Sequence, residues 1–375
     1  MKMYLSNLRP TTLQATCCLL TSVALIAVVL LGASSANARQ EEKKAELPKT
    51  PATGPVEYKT EAGRIVTTVV EGLNNPTSVV MQPETGIVFV ADSGNGQVVR
   101  IVNGKAEPIV TEFPKESLAT TPSVNIGPLS LAFLNRENLI VGCGGQPAGV
   151  DAVKVYTISA ATKFDAPKLS LNLVADESQS QPAEGNFFGL AVAPNAIFTT
   201  SQGDAAKGWI SVTMKTPGES LSGLARHIAS SEATGVATPT AITITPHGYL
   251  LAANVGSLGT EKDSVLAFYE TASKKMLMKL DTGLMDISAI AYSPRRQMYA
   301  LDMAWSQPES GGLYRIVEDK TVASGLRTKL ICKLLHPTSM SFDGDGGVYV
   351  TLRGEVDDKG NSKGSLVRIP SEENL

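Results

Sequence analysis

Six segments of this 375-residue chain can be laid over one another, and an internal repeat of that kind constrains the fold before any motif is weighed. They begin at Asn75 (NPTSVVMQPETGIVFVADSG), Gly127 (GPLSLAFLNRENLIVGCGG), Asn186 (NFFGLAVAPNAIFTTSQG), Thr238 (TPTAITITPHGYLLAANVG), Asp286 (DISAIAYSPRRQMYALDMA) and His336 (HPTSMSFDGDGGVYVTLRG). Successive starts lie 52, 59, 52, 48 and 50 residues apart, which is the length of a four-stranded blade and too long for a solenoid coil. Each copy has a small residue at its fourth position (Ser78, Ser130, Gly189, Ala241, Ala289, Ser339), as innermost strands need where six of them crowd around one channel.

A turn follows in every copy, for example Pro83-Glu84-Thr85-Gly86 and Asp343-Gly344-Asp345-Gly346, and reads as the hairpin between first and second strands. Third strands are expected at 97–102, 153–158, 209–214, 264–269, 312–317 and 365–369, with a more variable fourth strand in five of the blades. The sixth copy ends after its third strand, whereas the chain carries a spare strand-like run, Arg64–Val70, ahead of the first. The expectation is therefore an all-β, six-bladed β-propeller in which that N-terminal strand closes the last blade and leaves no blade open.

Composition agrees with that class. At 18% charged and 43% hydrophobic, with 33 Gly and 21 Pro, the chain is too apolar for disorder and too rich in turn residues for a helical bundle. Residues 1–38 read as a signal peptide: a basic start (Lys2, Arg9), an apolar run from Leu19 to Leu31, and Ala36-Asn37-Ala38 as the cleavage pattern. The alternative is a retained anchor, although the run from Cys17 to Gly32 is short of the ~20 residues that cross a bilayer. Removing the leader leaves 31 basic against 36 acidic residues, which argues against nucleic acid as a partner. Residues 39–60 read as a solvated linker and 61–375 as the propeller domain. Only Cys143 and Cys332 remain in the mature chain, on distant blades of the proposed ring, so no disulfide framework is expected.

The first blade, GLNNPTSVVMQPETGIVFVADSGNGQVVRI from Gly72 to Ile101, resembles the repeats of NHL-type and gluconolactonase/senescence-marker-type six-bladed propellers. The resemblance implies ligand binding at the channel mouth, where first strands begin and second strands end. Two columns of the repeat map there: Asn75, Gly127, Asn186, Thr238, Asp286, His336 at the strand starts, and Asp92, Cys143, Ser201, Asn254, Asp302, Leu352 at the strand ends. Asp92, Asn186, Asn254, Asp286 and Asp302 are the candidate ligands for a hard cation such as Ca²⁺, which takes about six to eight oxygens. The competing reading is that such residues cap strand ends locally. Gluconolactonase-like enzymes hold their metal with a Glu, two Asn and an Asp, and the strand-start column here has no Glu. Were the chain a metal-dependent lactonase, Asp286 or Asp302 would be the catalytic base. Candidate ligand-binding residues are Asn75, Asp92, Asn186, Asn254, Trp305 and His336, with Trp305 as a stacking surface.

Other chemistries lack their motifs. There is no G-x-S-x-G and no H-E-x-x-H, and His227, His247 and His336 are scattered. Cys143 in LIVGCGG reads as an apolar core residue, Asp343–Gly347 as a hairpin turn, and the Asp357–Asn361 loop as solvated.

The sequence thus describes an exported propeller, secreted or periplasmic, whose channel mouth takes a small molecule or a protein partner. It requires no cofactor on this reading, with Ca²⁺-dependent lactonase-like hydrolysis or a membrane-anchored envelope role as alternatives. Mass spectrometry of the protein recovered from its native host should find Arg39 at the mature N-terminus; recovery of residues 1–38 with the membrane fraction would establish the anchor instead.

Overall fold

In the computed structural model, residues 57–158, 166–202, 208–216, 220–259, 261–322 and 324–371 are described. The leader and the linker as far as residue 56 lie outside the described residues. Among the described residues no helix is long and apolar enough to cross a membrane.

Six antiparallel sheets follow one another along the chain. Their innermost strands are Pro76–Met81, Pro128–Phe133, Gly189–Val192, Pro239–Ile244, Ile287–Tyr292 and Pro337–Phe342. Second strands such as Val88–Asp92, Asn138–Cys143 and Leu250–Asn254 are buried throughout, because each blade is covered on both faces by its neighbours. That is why they read as continuous apolar runs without alternation. The core is correspondingly divided into one apolar layer per joint. Phe89, Ile109 and Val141 lie between blades one and two, and Val70, Val90 and Leu366 between blades six and one.

The last blade is Thr67–Leu73, Gly364–Ile369, Val348–Leu352 and Pro337–Phe342, so the N-terminal strand does close the ring, pairing Thr67 with Arg368 and Leu73 with Gly364. It starts three residues later than Arg64–Val70. The residues just before it, expected in the linker, are already packed: Thr60 is buried and bridges to Cys332 on the outer strand of blade five, and Tyr58 joins the core there. Cys143 and Cys332 are both buried, and Cys332 Sγ donates to Lys59 O (3.4 Å).

Five of the six innermost strands carry the same irregularity. The register slips between their first and third residues, at Pro76/Ser78, Pro128/Ser130, Pro239/Ala241, Ile287/Ala289 and Pro337/Ser339. A bulge takes backbone groups out of the ladder, and those groups need partners. The partners come from side-chain hydroxyls of the neighbouring blade. Thr77 Oγ1 donates to Pro128 O (3.1 Å), Ser130 Oγ to Phe187 O (2.7 Å), and Thr200 Oγ1 to Thr240 O (3.1 Å). Thr240 Oγ1 donates to Ile287 O (2.7 Å), Ser288 Oγ to Pro337 O (2.7 Å), and Thr338 Oγ1 to Pro76 O (2.6 Å).

The small fourth position belongs to the same scheme: Ser78 Oγ accepts from Leu131 N and Ser339 Oγ from Val79 N. In blade three it is Gly189, where a Cβ would sit 2.8 Å from Thr240 O, in the path of the Thr200–Thr240 bond.

Thr338 is buried and its hydroxyl contacts Pro76 O (2.6 Å), Thr351 O (3.1 Å) and Thr351 Oγ1 (2.8 Å). Thr338→Val keeps its shape and should lower unfolding free energy by about 1–3 kcal/mol through the carbonyl left unsatisfied. Urea titration at unchanged m-value checks this, with exposed Thr85→Val as control; equal midpoints for the two variants would mean the inter-blade hydroxyls carry no stability.

Candidate ligand site at the channel mouth

The two mouth columns are true neighbours. Pro76 pairs with Asp92, Pro239 with Asn254, Ile287 with Asp302 and Pro337 with Leu352, which places each strand start beside its strand end. Asn75, Asn186, Thr238 and His336 all have left-handed backbones, with φ of 46°, 52°, 57° and 48°. These residues turn the chain sharply into the innermost strand, and Asn suits that conformation because its short polar side chain tolerates it. A backbone bond closes each corner: Val255 N donates to Thr238 O, Met303 N to Asp286 O and Arg353 N to His336 O.

The proposed cation ligands do not converge. Both Asp92 oxygens are occupied, Oδ1 by Asn74 N (2.6 Å), Oδ2 by Asn95 Nδ2 (2.9 Å) and Gln97 Nε2 (2.7 Å). Asp302 is used the same way, Oδ1 accepting from Asp286 N (2.8 Å) and Ala304 N (3.1 Å), Oδ2 from Met285 N (2.9 Å). Asn254 accepts from Ser230 Oγ and donates to Val236 O. Asn186 donates its backbone N–H to Asp151 Oδ2. Among the described residues no group of three or more His, Cys, Asp or Glu side chains is placed to hold a metal ion. Strand-end carboxylates thus clamp the chain that enters the innermost strand.

Asp286, Asn75 and Trp305, in contrast, line one cavity of about 520 Å³ at the mouth. Its walls are largely apolar, with Leu129, Phe188, Val255, Ile287 and Met303 among them. A two-stranded hairpin, Glu116–Leu118 and Val124–Ile126, forms its cap; it leaves the outer edge of blade one, and its residues Leu118, Val124 and Ile126 pack with Leu129, Phe188 and Trp305. Asn125 holds the base of the hairpin through Asn125 N to Gly360 O (3.0 Å) and Asn75 Nδ2 to Asn125 O (2.9 Å). The Asp357–Asn361 loop, expected to be solvated, is therefore a support for the cap. At the far end the Trp305 indole N–H donates to Thr121 O (2.8 Å).

Asp286 is 2% exposed. Its Oδ2 accepts from Trp305 N (2.6 Å); the Gly259 amide also steadies the carboxylate, although no donor reaches Oδ1 at full hydrogen-bond geometry among the described residues. Burial, opposed by the Trp305 amide and reinforced by neighbouring Asp302, pushes its pKa up to about 6.

One residue beyond the strand-end column of blade six stands Arg353, also 2% exposed. Its guanidinium lies 4.3 Å from the Trp305 ring centre, its Nη1 has no partner, and burial lowers its pKa to about 10. His336 beside it has an unpartnered Nδ1 and is pushed down to about 4 by burial and by the Arg353 charge, so its imidazole is neutral at physiological pH. Column reasoning stopped at Leu352 and missed Arg353. The available signal was a long cation placed directly after a buried strand.

Cys143 is buried and its thiol is pushed up to about 12, which makes it a poor nucleophile. His227 contacts Thr271 O with its Nε2 and packs on Phe198, away from the mouth.

No family model matches the sequence, and no curated protein matches it. Solved structures do resemble it. A glucose dehydrogenase, 13% identical, superposes with a TM-score of 0.51 over 82% of this chain and 99% of that one. A luciferin-regenerating enzyme, 11% identical, superposes with a TM-score of 0.52 over 85% of this chain and 96% of that one. At such identities the likeness is one of architecture: the chain is a six-bladed β-propeller.

Proposed function

We propose that this chain is an exported β-propeller that binds a small, largely apolar ligand in its channel mouth, with Asp286 accepting a hydrogen bond from the ligand's polar end. The observation that carries this reading is the Oδ1 of Asp286, a buried carboxyl oxygen without a hydrogen-bond partner among the described residues, in a largely apolar cavity. Buried polar atoms are nearly always satisfied, and one that is not marks a place where a further group belongs. A cavity of about 520 Å³ suits a small molecule. The leader supports export, and the repeat sequence supports an NHL-like or gluconolactonase-like ancestry for the ring.

Binding is favoured over Ca²⁺-dependent hydrolysis because Asp92, Asp302 and Asn254 already spend their side chains on local hydrogen bonds. Asn186 Oδ1 and Asp286 Oδ1 are unpartnered among the described residues, but two oxygens fall short of the about six to eight that a hard cation takes.

Octylamine and octanol serve as probes, because an ammonium donates to a carboxylate more strongly than a hydroxyl does. Calorimetric titration at about pH 7.5 should show octylamine binding roughly tenfold more tightly, and Asp286→Asn should erase that preference while leaving octanol within about threefold. Lowering the pH to about 5 should act as the mutation does, since a carboxyl with its pKa near 6 is then protonated. No binding of either probe, or an octylamine preference that survives Asp286→Asn, would overturn the assignment.

Stability carries a second signature. A folded pKa raised above the ordinary carboxylate value means a contribution that is present at low pH and lost as pH rises through about 6. Asp286→Asn keeps the acceptor for Trp305 N and should raise the melting temperature at about pH 8 relative to wild type, with the gain vanishing near pH 4. A melting temperature that falls equally at both pH values would show that the carboxylate is structural.

A further inference from the structure

Buried guanidinium groups are ordinarily paired with a carboxylate, because an isolated charge is costly to take out of water. Arg353 is 2% exposed and has no salt bridge among the described residues; the one hydrogen bond of its side chain there runs from Nε to the neighbouring Gly354 O at a long 3.5 Å. The Trp305 face offsets part of the cost through a cation–π contact at 4.3 Å. That contact satisfies no N–H, and Nη1 is left without an acceptor. Next to it, the neutral His336 ring offers Nδ1, a second buried nitrogen without a partner.

An uncompensated positive charge thus lies against the indole that lines the cavity, and a second unpartnered nitrogen, on His336, lies close to that charge. The acids of this region do not supply the missing negative charge: Asp302 is bonded to three backbone N–H groups, and neither it nor Asp286 forms an ion pair with Arg353 among the described residues.

We infer that Arg353 and His336 form an anion-binding centre, and that the ligand of the mouth carries a carboxylate that docks there. This inference rests on the mouth being the ligand site and adds the chemical class: an organic acid with an apolar body and, for Asp286, a hydrogen-bond donor. A carboxylate matches the planar fork of a guanidinium and accepts a hydrogen bond from Nη1, and His336 presents Nδ1–H to the second oxygen in the tautomer that binding selects. Trp305 sits between cavity and guanidinium, tied to the hairpin by its indole N–H to Thr121 O and by packing on Leu118, Val124 and Ile126, and to the wall by its amide to Asp286. Docking at Arg353 therefore displaces the indole and reports on it.

The probes are octanoate and octanol, equal in length and different in charge. Calorimetry on the wild-type protein should show octanoate binding at least about tenfold more tightly than octanol, the margin of a charge-assisted hydrogen bond. In a Trp209→Phe background, where Trp305 is the single remaining Trp, octanoate should shift its emission and octanol should not. Arg353→Met should abolish the octanoate preference without lowering the melting temperature in the absence of ligand, because it removes an unpaired buried charge. Arg353→Lys should keep a reduced preference, and it serves as the second variant should Arg353→Met fail to fold.

Equal affinity of the two probes for wild type overturns the inference, as does a preference that persists in Arg353→Met or is absent from a folded Arg353→Lys. Octanol binding without any octanoate preference leaves the mouth reading standing and removes this one. An octanoate preference together with an octylamine response unaffected by Asp286→Asn leaves the anion centre standing and removes the role given to Asp286.

Discussion

Six hydroxyl-to-carbonyl hydrogen bonds around the channel, one at each joint between blades, set the geometry on which everything else depends. Apolar layers hold adjacent blades together, but area burial is non-directional and does not fix where one innermost strand sits along its neighbour. A hydroxyl within 3.1 Å of a particular carbonyl does. The bulges create the free carbonyls, the Thr and Ser residues beside them answer, and the last of these bonds, from Thr338 to Pro76, joins the two ends of the repeat. The N-terminal strand completes that closure in the sheet itself.

With the strands so registered, strand starts and strand ends share one rim. Most of their polar side chains are consumed in building it. Asn186 Oδ1 and His336 Nδ1 are left over among the described residues, and two further exceptions lie around Trp305: a carboxyl with one unpartnered oxygen on its backbone side and a guanidinium with an unpartnered nitrogen on its ring face. Both have pKa values displaced by burial in the direction that disfavours charge. Unsatisfied groups of this kind cost stability in the free protein, and a site that holds them ready for a ligand recovers that cost on binding. The hairpin between blades one and two makes the mouth a cavity instead of an open funnel, and its apolar residues explain why the ligand should be largely apolar.

The ring was legible because its determinants repeat. Small fourth positions, turns and the spare strand at the N-terminus all recur with blade spacing, and the strand-start and strand-end columns proved to be register neighbours. The chemistry of the rim was harder to read. Asn75 and Asn186 look like metal ligands in sequence, yet the corner conformation they adopt is reason enough for Asn there. Asp92 and Asp302 look alike and behave alike, as clamps, whereas Asp286 differs only because its neighbours leave one oxygen unused. Arg353 and the 116–126 hairpin fall outside the repeated columns. Nothing in a periodic pattern points to residues that break it, and the loop at Asp357–Asn361 became a support only through its contacts with Asn125.

The central claim is that the mouth around Trp305 is where this propeller meets its ligand, and a crystal structure grown with octanoate tests it most directly. The account predicts the alkyl chain against Leu129 and Phe188 beneath the hairpin, the carboxylate on Arg353 and a displaced indole. Octanoate bound elsewhere on the ring, with Trp305 still donating to Thr121 O and Arg353 still unpaired, would contradict it.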